Sequence, residues 1–174
     1  MVELNASASP GRAAQAEQAL LVAQRICDER GLRLTELRAA VLQAIAWCAV
    51  PIGAYPLLSL LQQELGKKFA PPTVYRALDF LLELGSIARV ESRNAYVLRN
   101  HPGRPGSSVL FLCDQCDSSV TIENPGLAKL IEGDAAALKF HLSKPLIECN
   151  GTCGRCAEAA AGVEAMVQGK PDGR

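Results

Sequence analysis

The chain has no surplus of charge. Its 18 lysines and arginines meet 18 aspartates and glutamates, and the two signs stay nearly balanced on either side of residue 98. A bulk basic field is thereby excluded, and any affinity for DNA would have to come from a few placed cations and from helix N-termini. Long apolar runs are missing too. No stretch approaches the ~20 residues of a membrane span, and the start lacks the basic residues and apolar run of a signal peptide. A cytoplasmic protein without a membrane partner is expected. Histidine is scarce, His101 and His141 being the two in 174 residues, so a metal site of about four donors cannot be built from imidazole alone.

What the chain does have is cysteine in pairs. Cys113/Cys116 in FLCDQCDSS and Cys153/Cys156 in CNGTCGRC are Cys-X-X-Cys knuckles beside turn-forming aspartate or glycine. Two sulfurs at this spacing reach one ion about 2.3 Å away when the chain turns tightly, and four thiolates complete a tetrahedral structural zinc. The stretch between Cys116 and Cys153 exceeds the roughly 15–20 residues of a zinc ribbon, so an intervening small fold must bring the knuckles together. The competing reading is a pair of redox dithiols or disulfides. A cytosolic glutathione pool disfavours disulfides, and a thioredoxin-type pair needs no duplicate. Cys27 and Cys48 fall in helical apolar patterns and read as small core residues.

Residues 1–14 are small, polar and punctuated by Pro and Gly, and read as a disordered tail. Three amphipathic helices follow: Glu17–Arg30, a second capped by Thr35 and running to Cys48, and a shorter one in AYPLLSLLQQELG closed by Gly66. PPTVYRALDFLLELG opens on prolines tolerated in a first helical turn, closes at Gly85 and buries Val74, Ala77, Leu78, Leu81 and Leu82. SIARVESRNAYVL then reads as two strands around a polar turn at Ser92–Asn94. These are the parts of a winged helix-turn-helix over residues 15–98. Residues 99–107 are Pro/Gly/Ser-rich and form a hinge. Over 108–174, strands VLFLC and SSVTIE flank the first knuckle, and a helix starts at Asn124/Pro125. A third strand is expected at 140–148, and an Ala-rich helix follows the second knuckle. The fold class is α+β: an N-terminal winged helix-turn-helix and a C-terminal α/β domain with a structural zinc.

A winged helix lays its recognition helix in the major groove. In PPTVYRALDFLLELG the polar first turn would enter, with Thr73 and Tyr75 reaching phosphate or a thymine methyl and Arg76 making a bidentate guanine contact. The bland alternative pairs Arg76 with Asp79 on a solvated face.

GLRLTELRAAVLQAI, APPTVYRALDFLLELGSIARVESRNAYVL, FLCDQC and GTCGRC resemble, in order and spacing, the ferric uptake regulator family, and its zinc uptake regulator branch above all. The resemblance covers about residues 17–160. It implies a dimeric, metal-responsive transcription factor whose N-terminal domain binds a palindromic duplex operator while the C-terminal domain dimerises. Cys113, Cys116, Cys153 and Cys156 would hold structural zinc, and Tyr55, Tyr75 and Arg76 would lie at DNA. The sensing site departs from the family pattern, because the stretches that usually carry histidines read SIARVES, LRNHPGRPG and SSVLFLC. The candidate ligands for a second, regulatory zinc are Glu91, His101, Glu123, His141 and Cys149, with Glu91 and His101 preferred. Against them stand an ion pair of Glu91 with Arg89 or Arg93 and a solvated His101.

Two rival regulators remain: a constitutive one with purely structural zinc, and a thiol sensor whose knuckle is oxidised. An enzyme is not expected, because four cysteines saturate a tetrahedral site and leave no position for water. No small-molecule substrate is expected either.

Overall fold

The computed structural model describes residues 10–99, 108–142 and 146–160. Helices α1 (Pro10–Glu29), α2 (Glu36–Trp47), α3 (Ala54–Leu65) and α4 (Pro71–Leu84) build the N-terminal half. Strands β1 (Ile52–Gly53), β2 (Ile87–Val90) and β3 (Ala95–Leu98) complete it as a sheet in the order β1-β3-β2. Local chemistry sets the helix ends. Thr35 caps α2 by accepting from the Arg38 amide, and Pro71 and Pro72 occupy the first turn of α4, where no amide partner is lost. Gly85 stops α4 at φ 76°, a left-handed conformation costly for any residue with a Cβ, and its amide returns to the Leu81 and Leu82 carbonyls.

The apolar stripes meet in one core formed by Val41, Leu42 and Ile45 of α2, Leu57 and Leu61 of α3, and Val74, Leu78 and Leu81 of α4. Leu78 is 0 % exposed. Leu78→Ala should therefore lower unfolding free energy by ~2–5 kcal/mol through lost transfer energy and a residual cavity. Denaturant unfolding followed by helical circular dichroism checks this. The loss would leave the helix pattern intact.

In the C-terminal half, β4 (Ser108–Cys113), β5 (Ser119–Glu123) and β6 (Leu146–Gly151) form a sheet in the order β5-β4-β6, with α5 (Pro125–Ala137) between β5 and β6. β5 is antiparallel to β4, and β6 is parallel to it. A second apolar cluster joins the halves: Ala88, Val90 and Val97 of the wing pack with Leu110 and Leu112 of β4 and with Leu146.

Three details differ from the sequence reading. α1 starts at Pro10, so residues 10–14 are helical instead of tail. Proline fits the first turn, Ala13, Ala14 and Gln15 are good helix formers, and Ala16 is 2 % exposed. The last strand begins at Leu146, and Phe140–Leu142 lie outside it, because the chain turns at Lys139 with φ 55°. The two-residue β1, pairing Ile52 with Tyr96, is too short to give a period-2 signal. Apart from Arg99, the expected hinge lies outside the described residues. Among the described residues, no helix is long and apolar enough to cross a membrane.

Candidate metal centre and nucleic-acid interface

The parallel pairing of β4 with β6 explains the long interval between the knuckles. Parallel neighbours need a crossover of a dozen or more residues, and β5 with α5 supplies it. Register places Cys113 beside Gly151, so each strand delivers its knuckle to the same end of the sheet. The Asp114 amide donates to the Gly151 carbonyl at 2.8 Å and ties the two turns together. In the first turn the Cys113 amide donates to Ser118 O, and the Cys113 carbonyl accepts from Asp117, which stands at φ 58°.

The sulfurs of Cys113, Cys116, Cys153 and Cys156 all lie within 4.8 Å of one another. Cys116 Sγ and Cys153 Sγ are 3.8 Å apart. Four ligands at about 2.3 Å from a tetrahedral ion are about 3.8 Å apart, so the donor set and its spacing fit zinc. The surroundings favour thiolate at the first knuckle. The Ser118 hydroxyl and amide, then the Arg155 guanidinium, bring Cys116 down to about 5, and the Cys153 amide lowers Cys113. Cys156 is pushed up to about 12 by hydrogen bonds to neighbouring sulfurs, that to Cys153 first. A cluster this tight holds a proton until a cation replaces it.

The regulatory candidates are dispersed. Glu91 pairs with Arg89 at 3.2 Å. Glu123 accepts from Ser108 Oγ at 2.6 Å and from Arg99 at 3.4 Å, with both side chains of that ion pair less than a fifth exposed. Cys149 is half-buried in β6, and His141 is exposed. Among the described residues the four cysteines are the one group of three or more such donors; His101 lies outside them.

Two residues with clear roles escaped the sequence reading. Glu148 of β6 accepts from the Glu91 amide at 2.7 Å, the Ser92 amide at 3.3 Å and the Ser92 hydroxyl at 2.5 Å. Arg93, in the short 3-10 turn Glu91–Arg93 at the wing tip, donates to Cys113 O at 3.0 Å and pairs with Asp117 and Asp114. Their partners are 20 or more positions distant, so no local pattern could reveal them. Burial alone would raise the Glu148 carboxyl, but the Ser92 hydroxyl and the two amides outweigh it and hold it below its ordinary value. A depressed carboxylate contributes stability above the unfolded-state value of about 4.3 and loses it as pH falls through the lower folded value. Glu148→Gln should cost about 1 kcal/mol at neutral pH, discounted for solvent screening, and flatten the acid side of the stability profile. Chemical denaturation between pH 3 and 7 tests this.

In the N-terminal domain, Thr73, Tyr75 and Arg76 are exposed in the first turns of α4. Val74, Ala77 and Leu78, buried in the core, fix the roll of the helix. Arg76 makes no ion pair among the described residues, so the alternative pairing with Asp79 is not formed. Tyr55 opens α3 and is 69 % exposed.

A winged helix joined through its wing to a small sheet that carries a four-sulfur metal site defines a class, the two-domain metal-dependent DNA-binding regulators. The chain is 40 % identical over 146 residues to the zinc uptake regulation protein of Escherichia coli (strain K12), covering 83 % of this chain and 85 % of that one. It belongs to the zinc uptake regulator family. Among solved structures, a zinc uptake regulator complexed with zinc and DNA superposes with TM-score 0.77 at 39 % identity, covering 84 % of this chain and 97 % of that one. Holo XcZur gives 0.73 at 41 % identity, covering 80 % and 96 %. No protein-family model matches the chain.

Proposed function

We propose that the protein is a cytoplasmic, zinc-responsive repressor of zinc uptake genes that binds a palindromic duplex operator as a homodimer when zinc-loaded. The observation that carries this reading is the four-sulfur cluster at the end of β4 and β6, on the sheet against which the wing packs. A relative of 39 % identity solved with both zinc and DNA supports it. Residues 15–98 serve as the reading head, 99–107 as the joint and 108–174 as the dimerisation domain. Thr73, Tyr75 and Arg76 enter the major groove, and Tyr55 lies at DNA.

Pairing with a second copy is supported by the outward face of the C-terminal sheet. Register sets Phe111 opposite Val120, and Ile122 stands two residues on along the same face. Phe111, Val120 and Ile122 are each more than two-fifths exposed, and a second copy would cover them. Titrating zinc into metal-free protein tests the function. Binding to a duplex selected from random sequence by the loaded protein should rise at least tenfold, and an unchanged affinity defeats the reading.

Glu91, His101, Glu123 and Cys149 remain the proposed ligands of a second, regulatory zinc. A second reading, with zinc in the cysteine site alone, has an observation in its favour: Glu91 and Glu123 are already held by arginines. Metal counting separates them, two zincs per chain supporting the sensing site and one supporting the cysteine site alone.

A further inference from the structure

We infer that Arg93 and Glu148 act as a clasp through which the four-sulfur centre sets the position of the wing, making Arg93 a positioning residue for DNA reading. The inference rests on zinc occupying the cysteine site and on operator binding, as proposed above, and adds the route between them. The wing turn Glu91–Arg93 touches the metal domain at two points, one on each strand that carries a knuckle. At the first point, the Arg93 guanidinium spans the Cys113–Asp117 turn, bonded to the carbonyl of one zinc ligand and to the carboxylates of Asp114 and Asp117. At the second, Glu148 receives both amides at the start of the wing turn together with the Ser92 hydroxyl.

Arg93 is only 21 % exposed, so its charge is partly desolvated and depends on these acceptors. Three acceptors converge on it because the first knuckle is folded, and that fold in turn needs Cys113 and Cys116 drawn to a common ion. The Asp114 amide bond to Gly151 makes the second knuckle part of the same unit. Loss of metal lets the turn open and disperses the Cys113 carbonyl, Asp114 and Asp117. Without the guanidinium fork the wing is held by the apolar seam of Ala88, Val90 and Val97 against Leu110 and Leu112, by Glu148 and, at its base, by Arg99 on Ser108 and Glu123. A seam fixes distance but little orientation, whereas a guanidinium fork fixes both. Two reading heads on a dimer must hold one spacing to match two half-sites, so freeing the wing weakens binding without unfolding the helices that contact DNA.

The test uses full-length wild type, Arg93→Ala and Arg93→Lys, each loaded with zinc or cobalt. Cobalt reports the thiolate site by its sulfur-to-metal charge-transfer band, and hydrogen exchange reports the Glu91 and Ser92 amides. The expected result for Arg93→Ala is an unchanged cobalt spectrum and unchanged dimer, with those two amides exchanging at least tenfold faster. Affinity for the selected duplex should fall at least tenfold, and Arg93→Lys should recover only part of it. A purely structural role for Arg93 would lower melting temperature but leave the zinc dependence of wing exchange intact, and that outcome overturns the clasp. Zinc-dependent exchange and affinity equal to wild type in Arg93→Ala also overturn it. If wild type itself shows no zinc-dependent operator binding, the functional reading fails instead, and the two failures are thus distinguishable.

Discussion

Cys113→Ser, or removal of the metal by a strong chelator, is expected to abolish dimerisation and operator binding while leaving the N-terminal helices folded. The asymmetry follows from how each half is held. The N-terminal core rests on many fully buried leucines and isoleucines from α2, α3 and α4, which need no ion. Among the described residues the C-terminal half has three strands of five or six residues, and Ala128 and Ala135 are the buried side chains of α5. Structural zinc in small domains supplies apparent binding energies of about 10–16 kcal/mol, as large as the whole stability of a typical domain at about 5–15 kcal/mol. Its loss is therefore larger than the sheet can absorb. Near-native helical circular dichroism with a monomeric sedimentation profile is the expected signature. A metal-free dimer of normal size would count against it.

Arg76→Ala is expected to weaken operator binding by ~1–3 kcal/mol, about 5–150-fold, and to relax discrimination at one base position in each half-site. The side chain is exposed and makes no ion pair among the described residues, so its removal should leave folding stability within about 0.5 kcal/mol of wild type. Arg76→Lys should restore phosphate-like attraction but not the bidentate contact, and so recover affinity more than specificity. Binding to a panel of single-base operator variants separates these terms. A uniform loss across all variants would move Arg76 from base reading to backbone contact.

The N-terminal half was legible because each of its elements carries its own signal. A Thr cap, a double proline, a left-handed Gly85 and stripes at helical spacing are local facts, and α2 to α4 follow them closely. The thiolate site was legible because four cysteines at two fixed spacings admit few other uses. Contacts across the joint were not. Nothing around Glu148 announces that its carboxylate meets amides 57 positions away, and nothing around Arg93 marks its reach to the first knuckle. The Glu91–Arg89 pair lies two positions apart and was legible as the alternative to metal binding, whereas the pairing of Glu123 with Arg99, 24 positions away, was not. The start of α1 was misread because proline and glycine punctuation masks a helix anchored by the buried Ala16.

The most direct measurement follows operator binding and sedimentation together on protein stripped of metal with its thiols capped, then on uncapped protein given back two equivalents of zinc. Monomeric, non-binding material that regains dimer and duplex affinity only on the uncapped arm is the predicted result. A capped, metal-free protein that still pairs and still binds the selected duplex at wild-type affinity would contradict it.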